Sequence, residues 1–313
     1  MASGVFSFIG LAKESSWGVP VASTAYLQFI SESLTHEIEQ LMEAELRGYP
    51  DEPPQYEGLN TIRGDIAFAA RPATIGYFLR SALGAPVTTG TGPYTHTFTP
   101  ATANFSAACA LPPYTFEIHR DLTSSFQYAG CVANELNIEQ GVGQKVMRAT
   151  AAILGKTVAL ITPTTRTLEA LDPFLWKNAS VTIGGSAVTP AESFRVRIAN
   201  NLEAYPVLNQ TKEVAAIAWN GHRVFDVEFT FNVTNLDEYN RFKSQTEAAC
   251  IIDINPDTNT ELKFETNKLR YTTFPLTVGG PGRLTVAVAG KAKWDSTLGA
   301  AMKVTLKNSV VSY

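Results

Sequence analysis

Phe225, Val227, Phe229, Phe231 and Val233 alternate with Asp226, Glu228, Thr230 and Asn232. A period of two leaves one face apolar and the other polar, which predicts a half-buried antiparallel strand. Asn235 then ends the strand, and Glu238 three residues later completes a capping-box pattern for a helix. Leu236, Tyr239 and Phe242 give that helix an apolar stripe. The same plan occurs earlier. Ile66, Phe68 and Ala70 lead through Pro72 to Ile75, Phe78, Leu79 and Leu83, with Gly84 as the stop. Each half of the chain therefore reads as strand, long loop, strand, short helix and further strands. The fold class is mainly β with short helices.

The two stretches align. Glu32-Ser33-Leu34 to Glu43-Ala44 matches Glu192-Ser193-Phe194 to Glu203-Ala204 with an offset of 160. Ile66, Phe68, Ala70, Ile75 and Phe78 match Val227, Phe229, Phe231, Leu236 and Tyr239 with an offset of 161. This predicts an internal duplication, two copies of one module in tandem, each with its own core. Residues 1–31 form an N-terminal arm and first strand, 32–156 the first module, 157–173 a threonine- and proline-bearing linker, and 174–313 the second module. Strands are expected at 26–30, 34–42, 94–99, 114–118 and 146–154, and again at 262–271, 284–288 and 302–306, with alternation at 135–139. Gly141-Val142-Gly143 and Gly279-Gly280-Pro281-Gly282 serve as turns.

Both copies hold a long loop between strands, at 48–63 and 205–222. Loops of this length inside a compact domain are more often functional than idle. Tyr49, Tyr56, Val214, Ile217 and Trp219 on them would be exposed in a free chain, which makes them candidates for contacts between stacked copies.

Length and composition fit two ordinary domains, with 313 residues and 45% hydrophobic content. A net charge of −4 argues against a protein that grips nucleic acid. Cys109, Cys131 and Cys250 match no metal spacing and read as small hydrophobes in a reducing compartment. No apolar run reaches the ~18 residues of a membrane span, and no basic leader precedes an apolar one, so a cytosolic product without membrane contact is expected. Chemistry is sparse. His36, His96, His119 and His222 sit in no metal-binding spacing, and nucleophile-elbow, phosphate-loop and dinucleotide motifs are absent. His119 and Asp121 with a remote serine are the nearest approach to a triad, and Glu37 with Glu39 the nearest to a carboxylate dyad, although that pair shares one strand face. The expectation is a non-enzyme with no cofactor and no metal.

A family resemblance rests on particular residues. Ile9-Gly10-Leu11-Ala12-Lys13-Glu14, Trp17-Gly18-Val19-Pro20-Val21, Glu32-Ser33-Leu34 and Leu46-Arg47-Gly48 resemble the opening of tail tube proteins from long non-contractile-tailed bacteriophages, the siphoviruses. Gly64-Asp65-Ile66, Tyr94-Thr95-His96-Thr97-Phe98, Tyr128-Ala129-Gly130-Cys131 and the stretch Asn308-Ser309-Val310-Val311-Ser312-Tyr313 extend it over nearly the whole chain. The segment 104–110 is shortened and 37–45 is unusually acidic against that pattern. The resemblance implies tail-tube-type β-sandwich or barrel modules, each flanked by one helix. It also implies stacked rings forming a hollow tube in the virion tail, assembled in the host cytoplasm, through which DNA passes. Two modules per chain would make a six-module ring from three copies. Implied partners are further copies of the chain, a tape measure protein and DNA in the lumen, and tail terminator and distal tail proteins at the ends.

Sheet physics leads the same way. Closing modules edge to edge around a ring removes open strand edges. A tube for DNA must avoid holding the phosphates, so an acidic or neutral bore suits it. Glu37, Glu39, Glu135 and Glu139 are the candidates for the lumen or for contacts between modules. Arg195 and Arg197 replace Thr35 and Glu37 in the second copy, and a ring alternating the copies would set Glu37 opposite Arg197. Two other classes remain: a receptor- or carbohydrate-binding β-sandwich of a tail tip, and a hydrolase with an unfamiliar site.

Overall fold

The computed structural model describes residues 2–313 and is mainly β. Along the chain, β1 (Phe8–Lys13), β2 (Ala25–Leu27), β3 (Phe29–Glu32), β4 (Thr35–Leu41) and β5 (Tyr56–Ala69) precede helix α1 (Ile75–Leu83). Six strands follow: β6 (Val87–Thr89), β7 (Tyr94–Phe98), β8 (Tyr114–His119), β9 (Ser125–Gly141), β10 (Arg148–Gly155) and β11 (Thr157–Ile161). The next group is β12 (Ala179–Ile183), β13 (Ser186–Ala187), β14 (Ala191–Ala199), β15 (Leu202–Tyr205), β16 (Ala216–Trp219) and β17 (Val224–Asn232). Helix α2 (Asp237–Ser244) leads to β18 (Ala248–Asp257), β19 (Thr260–Thr273), β20 (Thr285–Ala292) and β21 (Lys303–Asn308).

One antiparallel run of strands crosses the molecule. The β3–β4 stretch pairs with β5, β5 with β10, and β10 with the second half of β9. β9 pairs with β14, β14 with β17, β17 with β20, and β20 with the second half of β19. A second set of pairings runs β2–β1–β8–β9–β11, using the first half of β9. A third runs β13–β12–β18–β19–β21–β7–β6, using the first half of β19. β9 and β19 thus hold matching places, each threading through two sheets.

Alternation decides which face is dry. Leu136, Ile138, Val196, Ile198, Val227, Phe229, Val286 and Val288 are buried. Their neighbours Glu135, Asn137, Arg195, Arg197, Asp226 and Glu228 face the other way, as period-two strands require. Phe78 of α1 stacks on Phe68 of β5 at 4.4 Å and meets Phe116 of β8 at 6.0 Å, so the helix joins the apolar faces of two sheets.

Several expectations need correction. The buried apolar residues of both halves form one contiguous core with a small satellite, where two cores were expected. The cause is long-range pairing: β14 bonds to β9, and β7 of the first half bonds to β21 of the second. Thr157–Ile161, assigned to the linker, is strand β11 along β9. The stretch 56–63, assigned to a loop, is the start of β5. The offset of 160 also fails as a structural equivalence. Glu32 lies opposite Ile66, but Val196 lies opposite Val227, so Glu32 holds the place of Val196 and not of Glu192. The shared Glu-Ser letters carry no register, because register is set by the apolar residues of the buried face.

The helices differ in depth. All of α1 except Tyr77 is buried, whereas α2 has no buried residue. The C-terminal segment covers α1: Tyr313 lies T-shaped against Tyr77 at 5.0 Å and donates to the Ala73 carbonyl at 2.7 Å. The capping box of α2 is half-formed. Asn235 accepts from the Asp237 N–H, but Glu238 turns to Arg241 and the Tyr271 hydroxyl.

The contact of Tyr313 with α1 gives a clear expectation. A Cβ on Gly76 would stand 2.2 Å from the Tyr313 ring. Gly76→Ala should therefore lower stability by about 1–3 kcal/mol in denaturant melts through overpacking, although alanine is otherwise the better helix former. Adding Tyr313→Ala should cancel that cost. Additive effects in the double variant would show that the two residues do not touch.

Candidate assembly surface

The polar face of the long sheet carries a charge network where the two halves join. Arg197 of β14 donates to Glu135 of β9 at 2.5 Å and to Asp226 of β17 at 3.0 Å. Asn137 donates to Glu135 at 2.6 Å and accepts from Arg195 at 3.1 Å. Arg195 also lies 3.7 Å from Glu228, and Lys291 of β20 lies 3.9 Å from Asp226. The hydrogen bond from Arg197 is the chief reason that the Glu135 carboxyl is held below the usual carboxylate range. These pairs are part-exposed, so they orient the join more than they stabilise it.

The face as a whole is charge-balanced. Asp65, Glu135, Glu139, Asp226 and Glu228 are interleaved with Arg63, Arg148, Arg195, Arg197, Arg270 and Lys291. Four residues singled out in the sequence, Glu135, Glu139, Arg195 and Arg197, come together here on neighbouring strands. Glu37 and Glu39 do not. They lie on the β4–β5 hairpin, where both faces of β4 are exposed. Glu37 meets Arg63 at 2.6 Å and Glu39 accepts from the Leu59 N–H. Within the chain Arg197 is taken by Glu135 and Asp226, so Glu37 does not stand opposite it. Asp226 and Glu228, polar members of the β17 alternation, join the network as partners of Arg197 and Arg195. Lys291 escaped notice because only pairing of β20 with β17 brings it in.

The loop candidates split. Tyr49 and Tyr56 are 79% and 60% exposed, and the hairpin tip at 42–55 also presents Met42 and Leu46. Val214 and Ile217 are buried, which corrects their assignment as contacts between stacked copies. Ile217 belongs to the satellite core with Cys109, Leu111, Val132 and Leu202, and Trp219 packs against it. β15 and β16 fold that hairpin back onto the chain, and the Ile217 carbonyl accepts from the Ala110 N–H.

The candidate triad around His119 and Asp121 does not assemble. His119 lies 3.2 Å from the Ser125 hydroxyl, but Ser125 is fully buried and Asp121 accepts from the Ser3 N–H instead. All three cysteines are free and buried, and burial pushes the Cys109 and Cys250 thiols up to about 12. No group of His, Cys, Asp and Glu side chains among the described residues has the arrangement to hold a metal ion. No helix is long and apolar enough to cross a membrane.

A laced polar face, an exposed hairpin and unpaired strand edges describe a building block better than a reaction centre. The model of a family described as phage tail tube protein matches residues 7–292, and the chain belongs to that family. No curated protein matches the sequence. The chain is therefore a structural component of a phage tail tube, a class that assembles with copies of itself.

Proposed function

We propose that three copies of this chain close a ring, that rings stack into the tube of a siphovirus tail, and that DNA passes through the bore. The continuous antiparallel sheet carries this reading. It has one unpaired edge at β3–β4, another at the second half of β19, and a single polar face. Each half of the chain supplies one module: β3/β4, β5, β10 and β9 in the first, and β14, β17, β20 and β19 in the second. The matching pairings through β9 and β19 support the tandem division despite the fused core.

Three copies would bring about 24 strands to the wall, a circumference of roughly 115 Å at ~4.8 Å per strand. Strand tilt widens the bore beyond roughly 37 Å, ample for a duplex. With the polar face inward, the interleaved charges offer phosphates no continuous cationic track. A tape measure protein would occupy the same bore before DNA, and terminator and distal tail proteins would meet the two ends of the stack.

Electron microscopy of the purified chain at high concentration tests the reading, with rings or tubes expected. A chain that stays monomeric at every concentration would overturn it. The lumen assignment has its own test. Glu139→Lys together with Glu39→Lys should leave the fold intact, because both side chains are exposed and outside the ion pairs. Glu135 and Glu37 are left out, since lysine there would face Arg197 and Arg63. In assembled tails the change should slow DNA passage at low salt and less so at high salt. Unchanged passage at low salt would place these residues outside the bore.

A further inference from the structure

We propose that the β19 edge of a second copy, from Arg270 to Thr273, docks on the β3–β4 edge in the register that β9 uses on β14. This rests on the ring reading and specifies its joint.

The chain contains its own template. Ile198 lies opposite Leu136 and Ala199 opposite Glu135. The place of Ile198, opposite Phe225, is held in the first half by Leu34, opposite Gly64 between the pairs Glu32–Ile66 and Thr35–Arg63. The place of Leu136 is held by Tyr271. Leu136 faces Ala151, which faces Ile66, and Tyr271 faces Gly290, which faces Val227. Carrying the template across sets Leu34 of one copy opposite Tyr271 of the next, and Thr35 opposite Arg270.

A second observation marks the same spot. Where β14 has a real neighbour, its edge needs no substitute. At Leu34 the free edge is met by side chains. The Glu32 carboxylate accepts from the Leu34 N–H at 3.1 Å, and Arg120 and Tyr128 donate to its carbonyl at 2.7 and 3.1 Å. Arg120 also grips Glu32 through two nitrogens, at 2.8 and 2.9 Å. The counterparts in the second half are Val196 for Glu32, Pro256 for Arg120 and Phe264 for Tyr128, allowing for the extra residue at Asn134 in β9. Among the described residues, the polar stand-ins thus sit on the first-half strand that lacks a neighbour and are missing from its counterpart β14, which has one. They satisfy backbone groups in the free chain and guard an edge that would otherwise pair indiscriminately.

Charge makes the occupant specific. Beyond Thr35 the edge carries Glu37 and Glu39, and Arg270 on the approaching edge would be a diagonal neighbour of Glu37. In the chain's internal joint the signs are reversed, with arginine on β14 and glutamate on β9. A mispaired joint would set Arg197 near Arg270, or Glu37 near Glu135, so the reversal favours each edge's proper partner.

Cysteines at the facing positions test the register. Thr35→Cys with Arg270→Cys in one full-length chain should give disulfide-linked trimers when assembled particles are oxidised, because facing strand residues lie within disulfide reach. The native cysteines are buried and do not compete. A charge exchange gives a second readout. Glu37→Lys alone should raise the concentration needed for assembly about five- to tenfold, and adding Arg270→Glu should restore it. Particles that assemble normally but neither cross-link nor respond to the exchange would overturn the joint and leave the ring reading standing. Failure of the unmodified chain to assemble at all would overturn both.

Discussion

Asn200→Ala is expected to lower unfolding stability by about 3–5 kcal/mol, from one lost hydrogen bond to a charged group and two carbonyls left unpaired. Asn200 is fully buried and holds four groups at once. Its amide donates to the carbonyls of Ala82 and Ala133, each at 3.0 Å, its oxygen accepts from Arg223 at 2.6 Å, and its backbone N–H reaches Asn134. These partners belong to α1, β9 and the stretch entering β17, so one side chain fastens the first half to the second. Among the described residues Arg223 has no carboxylate partner, and burial pushes its pKa down to about 10. Without Asn200 it keeps only the Ala101 carbonyl and the face of Trp219. Two orphaned carbonyls add to the cost. The melting temperature should fall by roughly 6–15 °C. Asn200→Asp, which keeps the acceptor for Arg223 but loses both donors, should fall between. A loss below about 1 kcal/mol for the alanine variant would contradict this account of the joint.

Cutting the hairpin tip should do the reverse, sparing the fold and stopping growth. Leu41 and Tyr56 face each other across the hairpin, so residues 42–55 can be replaced by Asn-Gly as a two-residue turn. Nothing in 42–55 reaches into the core; all but one of these residues are exposed. Residues 56–60 must stay, because Asn60 donates to the Lys212 carbonyl at 2.7 Å and Glu57 meets Lys212. Melting should stay within a degree or two, while rings no longer stack into tubes. The tip carries Met42, Leu46 and Tyr49, apolar surface that a free chain leaves in water and a neighbouring ring would cover. Tubes of ordinary length from this variant would remove the tip from the stacking contact.

Local pattern made much of the fold legible. The alternation from Phe225 to Val233 and the stripe of Ile75, Phe78, Leu79 and Leu83 announce β17 and α1 because period and burial are encoded in neighbouring residues. Partnership between distant strands is not encoded that way. Nothing in Tyr94–Phe98 says that it pairs with Lys303–Asn308, and that pairing helps fuse the expected two cores into one. Register misled for a related reason. Glu32-Ser33 and Glu192-Ser193 match as letters, yet the pairs Glu32–Ile66 and Val196–Val227 put a four-residue shift between that alignment and the strands. Val214 and Ile217 looked like loop residues because Lys212 and Glu213 lead into a short run without alternation, and only the fold-back of β15 and β16 gives Ile217 a place in the satellite core. Among the assembly residues, Glu135, Glu139, Arg195 and Arg197 were visible as polar members of alternating strands. Glu32, Arg120 and Tyr128 were not, since their shared task at Leu34 exists only once β3, β9 and the residue following β8 meet.

Cryo-electron microscopy of the assembled particle, viewed along its axis, tests the central claim most directly. The expected ring contains three chains, with an inner wall in which first and second halves alternate and β3–β4 of each chain continues the sheet of its neighbour's β19. A ring of six chains, or a wall in which neighbouring chains share no strand pairing, would contradict it.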